Sequence, residues 1–176
     1  MRRIATTMAT ALCLLAPVPA LAVNGGASPT DPSLRPLGKA SMVGSRAVAP
    51  PGAPEAVVRV IAAANHISRK PYRLGGGHGD FEDTHYDCSG AVSYALHGGG
   101  LLDAPLASGG LMSWGERGPG RWITVHANAG HTFVVIAGLR FDTGYRDATQ
   151  QDTGTGPRWG APRATKGYRV RHPAGL

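Results

Sequence analysis

The chain has 176 residues, two cysteines and a formal net charge of +7 at pH 7, from 18 basic and 11 acidic side chains. This length predicts one domain with its own hydrophobic core and argues against a multidomain protein. The basic balance suits an anionic partner such as a bacterial wall, a membrane surface or nucleic acid. The basic residues are scattered, without a basic helix or aromatic platform, which argues against nucleic acid.

The N-terminus has the form of an export signal. A mostly apolar run over residues 4–19 follows a short basic start, and residues 20–22, Ala-Leu-Ala, match the small-x-small pattern of a signal-peptidase site. We expect residues 1–22 to be removed, because the run is short for a membrane span and is broken by prolines. The sequence therefore predicts a secreted or periplasmic protein with no integral membrane segment after cleavage.

Residues 23–52 are rich in Gly, Pro, Ser and Ala and have no apolar period, which predicts a flexible linker. A folded domain is expected over residues 53–176. Its first element is an amphipathic helix from about Pro54 to Ile67, because proline suits a first helical position and apolar residues follow at helical spacing.

A glycine-dense turn at residues 70–80 and a polar run at 81–85 come next. Crowded glycines let the backbone turn sharply or approach a ligand closely. The polar side chains of this stretch also allow a metal site to be considered, with candidate ligands His78, Asp80, Glu82, Asp83 and His85. They lack the i, i+4 or Cys-x-x-Cys geometry of metal ligands, so we expect the wall of a cleft, with no metal and no cofactor.

Cys88 opens the next predicted helix, which ends at the glycines 98–100. The helix dipole and the unpaired N–H groups of a first turn favour thiolate over thiol, and the same groups can stabilise an oxyanion. Loss of the leader leaves Cys88 as the single cysteine, so no internal disulfide can form. A lone thiol in an exported protein indicates a nucleophile.

The second half of the chain predicts strands after a loop at residues 101–120. They are expected at 122–126, 131–136, 139–143 and 168–171. Helices followed by antiparallel strands indicate an α+β fold, with the helices packed on a small antiparallel sheet.

A thiolate nucleophile needs a general base and a third group that orients it. His131 is favoured as the base because it begins the most apolar strand, where a polar residue is costly without a purpose. His126, at the end of the preceding strand, is the main rival.

Three motifs in order resemble the NlpC/P60 cysteine peptidases of bacterial cell walls. They are Pro-Tyr-Arg-Leu-Gly-Gly at 71–76, Asp-Cys-Ser-Gly at 87–90, and Gly-His before the apolar run at 130–136. The resemblance covers about residues 54–143. It implies a papain-like fold with Cys88 as nucleophile and His131 as base.

The resemblance also implies that Tyr72, Asp87 and Ser89 line the site and help to hold substrate. The family usually has its third catalytic residue twelve positions after the base, which is Thr143 here. A two-residue turn at 137–138 instead places Asp142 on the face of His131, whereas a three-residue turn places Thr143 there. We favour Asp142, because a carboxylate stabilises imidazolium better than a hydroxyl does.

By resemblance, the predicted function is hydrolysis of an amide bond in peptidoglycan stem peptides, of the D-glutamyl–diaminopimelate type. A second hypothesis keeps the thiol chemistry for another amide or ester, as an amidase, an acyltransferase or a toxin delivered to rival cells. A third is a wall-binding module without activity. The segment after the Cys88 helix and the tail at 144–176 depart from the family pattern.

Overall fold

The structure is a computed structural model that describes residues 38–144 and 156–176. The predicted signal peptide and residues 23–37 of the predicted linker lie outside the described residues. The described helices are α1 (Glu55–Ile67), α2 (Cys88–Gly98) and the short α3 (Ser108–Leu111). The described strands are β1 (Ser41–Val43), β2 (Arg46–Val48), β3 (Glu116–Arg117), β4 (Ile123–Ala127), β5 (Thr132–Ile136), β6 (Leu139–Asp142), β7 (Arg158–Gly160) and β8 (Arg169–His172).

Six of these strands form one antiparallel sheet in the order β3-β8-β4-β5-β6-β7. Helices α1 and α2 pack against each other and against β5. The fold is therefore α+β, with helices on an antiparallel sheet, and the predicted fold class is confirmed. Strands β3 and β7 come from segments in which the sequence indicated no strand.

Helix α1 follows the predicted apolar period. Its inner face consists of five buried side chains, those of Val57, Val60, Ile61, Ala64 and Ile67. The first turn of α1 has no side-chain cap. The stability of the helix therefore comes mainly from burial of this apolar face. None of the helices within residues 38–144 and 156–176 combines the length and the apolar character that crossing a membrane requires.

Residues 38–52 differ from the sequence prediction. Strands β1 and β2 form a hairpin in which Ala47 is buried. Both backbone polar groups of Ala47 bond to the Asn65 side chain of α1, at 2.9 and 2.8 Å, and Asn65 Oδ1 also accepts the indole N–H of Trp159 at 2.9 Å. The prediction of a flexible linker is wrong for residues 38–52. Hydrogen bonds from the Asn65 side chain hold the hairpin against α1, so the stretch is ordered although its sequence has no apolar period.

The turn between β5 and β6 consists of Ala137 and Gly138, with φ angles of 46° and 84°. Positive φ at both positions is typical of the two-residue turns whose twist matches antiparallel strands. Ile136 consequently pairs with Leu139 and Val134 with Phe141. The two-residue turn is confirmed and the three-residue alternative is wrong.

Candidate active site

The two glycine-containing motifs around Cys88 pack directly against each other. A Cβ on Gly90 would lie 2.0 Å from the carbonyl oxygen of Gly76, and one on Gly77 would lie 2.7 Å from the Tyr86 ring. The backbone N–H of Asp87 donates to the same Gly76 carbonyl at 3.2 Å. Such an approach requires glycine, so the loop at 70–80 is held against the first turn of α2.

Asp87 caps α2 and ties the glycine loop to it. Its Oδ1 accepts the N–H of Gly90 at 2.8 Å, and its Oδ2 accepts the N–H of Gly75 at 2.9 Å. The Ser89 hydroxyl, at 3.1 Å, and His78 Nε2, at 3.0 Å, also donate to Oδ1. Burial raises the pKa of Asp87, but these hydrogen bonds outweigh it and hold the pKa below its ordinary value. An ionised cap therefore fixes the first turn.

The three residues predicted to hold substrate lie in two different environments. Asp87 and Ser89 are buried, and their side chains are bonded within the chain. Tyr72 is only half-buried. Its pKa is raised by burial and then by the negative charges of Cys88 and Asp87, which places the phenol close to the thiol. Among the three, Tyr72 is the one that is partly exposed.

The imidazole of His131 is bonded to the side chain of Asp142. Nε2–H donates to Oδ1 at 2.8 Å, and the Asp142 side chain is fully buried. The two-residue turn brings about this contact, because it pairs Val134 with Phe141. Continued by one residue, this register puts Asp142 level with Phe133 and on the same face as His131. With Nε2 engaged, Nδ1 is the ring atom left for the hydrogen bond between His131 and Cys88.

Hydrogen-bond donors and positive charges surround both carboxylate oxygens of Asp142. The backbone N–H of Gly144 donates to Oδ1 at 2.8 Å. The guanidinium groups of Arg140 and Arg163 lie 3.4 and 3.5 Å from Oδ2. Burial raises the pKa of Asp142, but the bonds from His131 and Gly144 and the positive charges of His131 and Arg140 lower it further than burial raises it. Asp142 is therefore ionised beside the imidazole.

The Cys88 thiol and the His131 imidazole shift each other's protonation. Burial raises the pKa of the thiol, but hydrogen bonds from His131, the Thr132 backbone and the Ser108 hydroxyl hold the pKa below its ordinary value. Burial lowers the pKa of His131, whereas its bonds to Asp142 and Cys88 raise it to about 9. Both shifts favour a thiolate–imidazolium pair at neutral pH.

The two rivals from the sequence have different surroundings. His126 is buried, its ring stacks on Phe133 at 4.7 Å, and its Nδ1 has no hydrogen-bond partner within the described residues. Burial lowers its pKa. Thr143 is also buried, and the imidazole of His131 is bonded to its neighbour Asp142 instead. The geometry thus brings Cys88, His131 and Asp142 together.

Three further side chains reach the site without having been predicted. Ser108, at the start of α3, has its Oγ 3.7 Å from Cys88 Sγ. Arg163 and Tyr168 come from the tail, and the Tyr168 ring lies edge-on to His131 with centroids 6.5 Å apart. Helix α3 has the sequence Ser-Gly-Gly-Leu, which carries no helical period, so no local signal marks Ser108.

The polar loop at 78–85 makes internal contacts. His78 Nε2 is bonded to Asp87 and lies 3.0 Å from Ser89 Oγ. Asp83 accepts the N–H of Gly77 at 3.0 Å and faces Arg73 at 3.3 Å. Within residues 38–144 and 156–176, no cluster of three or more metal-ligating side chains occurs.

The chain is similar to several solved structures. RipB, a peptidoglycan hydrolase from Mycobacterium tuberculosis, is 22% identical over 66% of this chain and 64% of its own, with a TM-score of 0.50. A variant of RipA, a resuscitation promoting factor interacting protein, is 21% identical over 82% of this chain and 74% of its own, with a TM-score of 0.50. The P60 domain of an antigen from M. avium subspecies paratuberculosis is 19% identical over 66% of this chain and 93% of its own, with a TM-score of 0.47.

No protein-family model matches the sequence, and no curated protein matches it. The likeness to RipB and RipA shows a shared fold. The resemblance to the NlpC/P60 family, read from three short motifs, is confirmed at the level of the fold.

Proposed function

We propose that this protein is a secreted peptidoglycan hydrolase that cleaves an amide bond in wall stem peptides through Cys88, His131 and Asp142. The observation that carries the proposal is the chain of contacts at the start of α2. A thiol with a lowered pKa is bonded to an imidazole with a raised pKa, and this imidazole is bonded to a buried carboxylate. This order of groups is what nucleophilic acyl transfer by a thiol requires.

In the proposed mechanism, the Cys88 thiolate attacks the carbonyl carbon of the scissile amide. The carbonyl oxygen becomes an oxyanion near the positive end of α2. His131 then donates its Nδ1 proton to the leaving nitrogen, the carbon–nitrogen bond breaks, and a thioester remains on Cys88. Water, deprotonated by His131, attacks the thioester and releases the carboxylic acid and the thiolate.

The supporting residues have distinct roles in this proposal. Asp142 holds the imidazole in the tautomer that presents Nδ1 to the thiol. Tyr72, half-buried beside Cys88, contacts the substrate. Asp87 and Ser89 are buried and bonded within the chain, so they act by fixing the first turn of α2.

The substrate assignment rests on the family resemblance together with the shared fold. RipB is described as a peptidoglycan hydrolase. The sequence motifs resemble those of the NlpC/P60 cysteine peptidases, and this resemblance implies cleavage at an acidic D-amino acid. We therefore propose a bond of the D-glutamyl–diaminopimelate type. The excess of basic over acidic side chains suits a polyanionic wall.

The test is mass spectrometry of purified wall fragments after incubation with the protein starting at Val23. We expect new amine and carboxyl ends at one stem-peptide bond, no cleavage by Cys88→Ala, and normal cleavage by Ser113→Ala, which alters an exposed serine. Equal cleavage by Cys88→Ala would remove the thiol mechanism. A transferred acyl group would indicate an acyltransferase, and binding to walls without any product would indicate a binding module.

The secretion part of the proposal has its own test. The predicted leader at residues 1–22 lies outside the described residues. N-terminal sequencing of the exported protein is expected to begin at Val23. Retention of the full chain inside the cell would contradict it.

A further inference from the structure

The loop between β7 and β8, residues 161–168, lies against the His131–Asp142 pair. Arg163 Nη1 is 3.5 Å from Asp142 Oδ2, and its guanidinium carbon lies 5.8 Å from the centre of the Phe133 ring. This segment has no counterpart in the motifs that carry the family resemblance. It brings an additional cation to the site.

Asp142 is already matched in charge without Arg163. His131 and the Gly144 backbone both donate to its Oδ1, and Arg140 lies nearer to Oδ2, at 3.4 Å. The side chain of Arg140 is only 9% exposed, whereas that of Arg163 is 38% exposed. A more exposed cation adds little to a carboxylate that already has these partners.

Arg163 also lies beside the imidazole. A Cβ placed on Gly144 would be 3.1 Å from His131 Nε2 and 3.2 Å from Arg163 Nη1, so both nitrogens border the same small space. In the proposed mechanism, His131 delivers its proton to the leaving nitrogen. The amine half of the substrate must therefore pass over the imidazole, within reach of the loop that carries Arg163.

We infer that Arg163 is a specificity-determining residue, which binds a carboxylate on the amine half of the substrate, the half that leaves first. A guanidinium presents two parallel N–H donors that fit a carboxylate, and a lysine cannot reproduce this geometry. The half-exposed position leaves room for such a partner. The inference rests on the proposed hydrolysis of a stem peptide and adds which side of the bond carries the recognised charge.

The test uses two synthetic γ-D-glutamyl–diaminopimelate peptides. They are identical except that the side-chain carboxyl of the diaminopimelate, the residue after the scissile bond, is free in one and amidated in the other. Wild type, Arg163→Gln, Arg163→Lys and the control Arg169→Gln are compared for kcat and KM. Arg169 is an exposed arginine of β8. We expect the wild type and the control to prefer the free carboxylate by about tenfold or more in kcat/KM, the scale of one charge-assisted hydrogen bond.

Arg163→Gln is expected to lose this preference because its KM for the free-carboxylate peptide rises to the KM for the amidated peptide. Arg163→Lys should restore only part of the preference. An equal fall in kcat on both peptides would overturn the inference, because it would make Arg163 a positioning residue that acts through Asp142. The absence of any preference in the wild type would also overturn it.

A binding measurement separates this inference from the proposed hydrolysis. Calorimetry compares both peptides on Cys88→Ala and on Cys88→Ala with Arg163→Gln, each first shown to be folded by circular dichroism. Tighter binding of the free carboxylate that disappears in the double variant supports the role of Arg163, even if the wild type cleaves neither peptide. Equal binding of both peptides by Cys88→Ala contradicts it.

Discussion

His131 Nε2 donates to Asp142 Oδ1 at 2.8 Å across a hairpin whose turn is only two residues long. The contact depends on the register, because a turn of three residues would move Asp142 to the other face of the sheet. Here the backbone of Ala137 and Gly138 adopts positive φ angles, which that short turn requires.

The first prediction ranks the two candidates for the third residue. Asp142→Ala is expected to lower kcat by on the order of 10²-fold or more, because the imidazole loses the group that sets its tautomer. Thr143→Ala is expected to have a smaller effect. Steady-state kinetics on a stem peptide, with circular dichroism to verify folding, make the comparison. The opposite ranking would mean that the position inherited from the family pattern carries the role.

The candidate site could be predicted from local signals more fully than the rest of the fold. Cys88 begins a helix that ends at a run of glycines, and His131 directly precedes a continuous apolar strand, so local sequence marks both. The two-residue turn then fixes Asp142 beside His131. Arg163 and Ser108 have no such signal. Arg163 reaches the site only because β7 pairs with β6 and directs the following loop back.

The hairpin of β1 and β2 is another feature that local sequence signals do not predict. Its one buried residue, Ala47, is anchored to Asn65 by backbone hydrogen bonds, 18 positions away in the chain. Composition suggests a linker, because a stretch rich in glycine and proline lacks a core of its own. The hydrogen bonds between Ala47 and Asn65 determine that this stretch is ordered. Composition and periodicity of the sequence do not reveal such a tertiary contact.

The second prediction concerns the pH dependence of the thiol. Thiolate forms as pH rises through the lowered pKa of Cys88, and imidazolium is lost as pH rises through about 9, the pKa of His131. Activity should therefore be bell-shaped, with its alkaline fall near pH 9. Alkylation by iodoacetamide should stay fast at mildly acidic pH.

His131→Ala should move the alkylation profile to higher pH, because the thiolate loses the cation that stabilises it. His66→Ala, which alters an exposed histidine of α1, is the control and should leave the profile unchanged. An unchanged profile in His131→Ala would show that the two side chains do not form an ion pair.

The third prediction concerns Ser108, whose hydroxyl lies 3.7 Å from Cys88 Sγ. Ser108→Ala is expected to raise the pKa of the thiol and to lower kcat/KM by about two- to tenfold, the scale of one lost hydrogen bond. Ser113→Ala, at an exposed site nearby in the chain, is the matched control. If both variants titrate and turn over as the wild type does, the Ser108 hydroxyl plays no part in activation.

The fourth prediction concerns the cap of α2. Asp87→Ala should lower the free energy of unfolding by about 2 kcal/mol at pH 7, because it removes an N-cap whose oxygens serve four donors. The pKa of Asp87 is lowered in the folded state. The stability that Asp87 contributes is thus complete at pH values above its pKa in the unfolded chain. It is lost as the pH falls through its lower pKa in the folded protein.

Urea denaturation at several pH values measures this effect. The difference in stability between the wild type and Asp87→Ala should shrink below about pH 4, the ordinary pKa of an aspartate. Asp103→Ala, which changes an exposed aspartate, should match the wild type throughout. A difference that is independent of pH would mean that packing, and not the ionised cap, accounts for the loss.

The fifth prediction tests the contact between the two glycine motifs. A Cβ on Gly90 would lie 2.0 Å from the Gly76 carbonyl oxygen, a backbone atom that cannot move without shifting the loop at 70–80. Gly90→Ala is therefore expected to destabilise the fold by about 3 kcal/mol, the upper end of typical overpacking costs, and to lower the thermal midpoint. Gly109→Ala is the control, because a Cβ there meets nothing within 4 Å. Calorimetry compares the two variants, and equal midpoints would contradict the packing described between the first turn of α2 and the glycine loop.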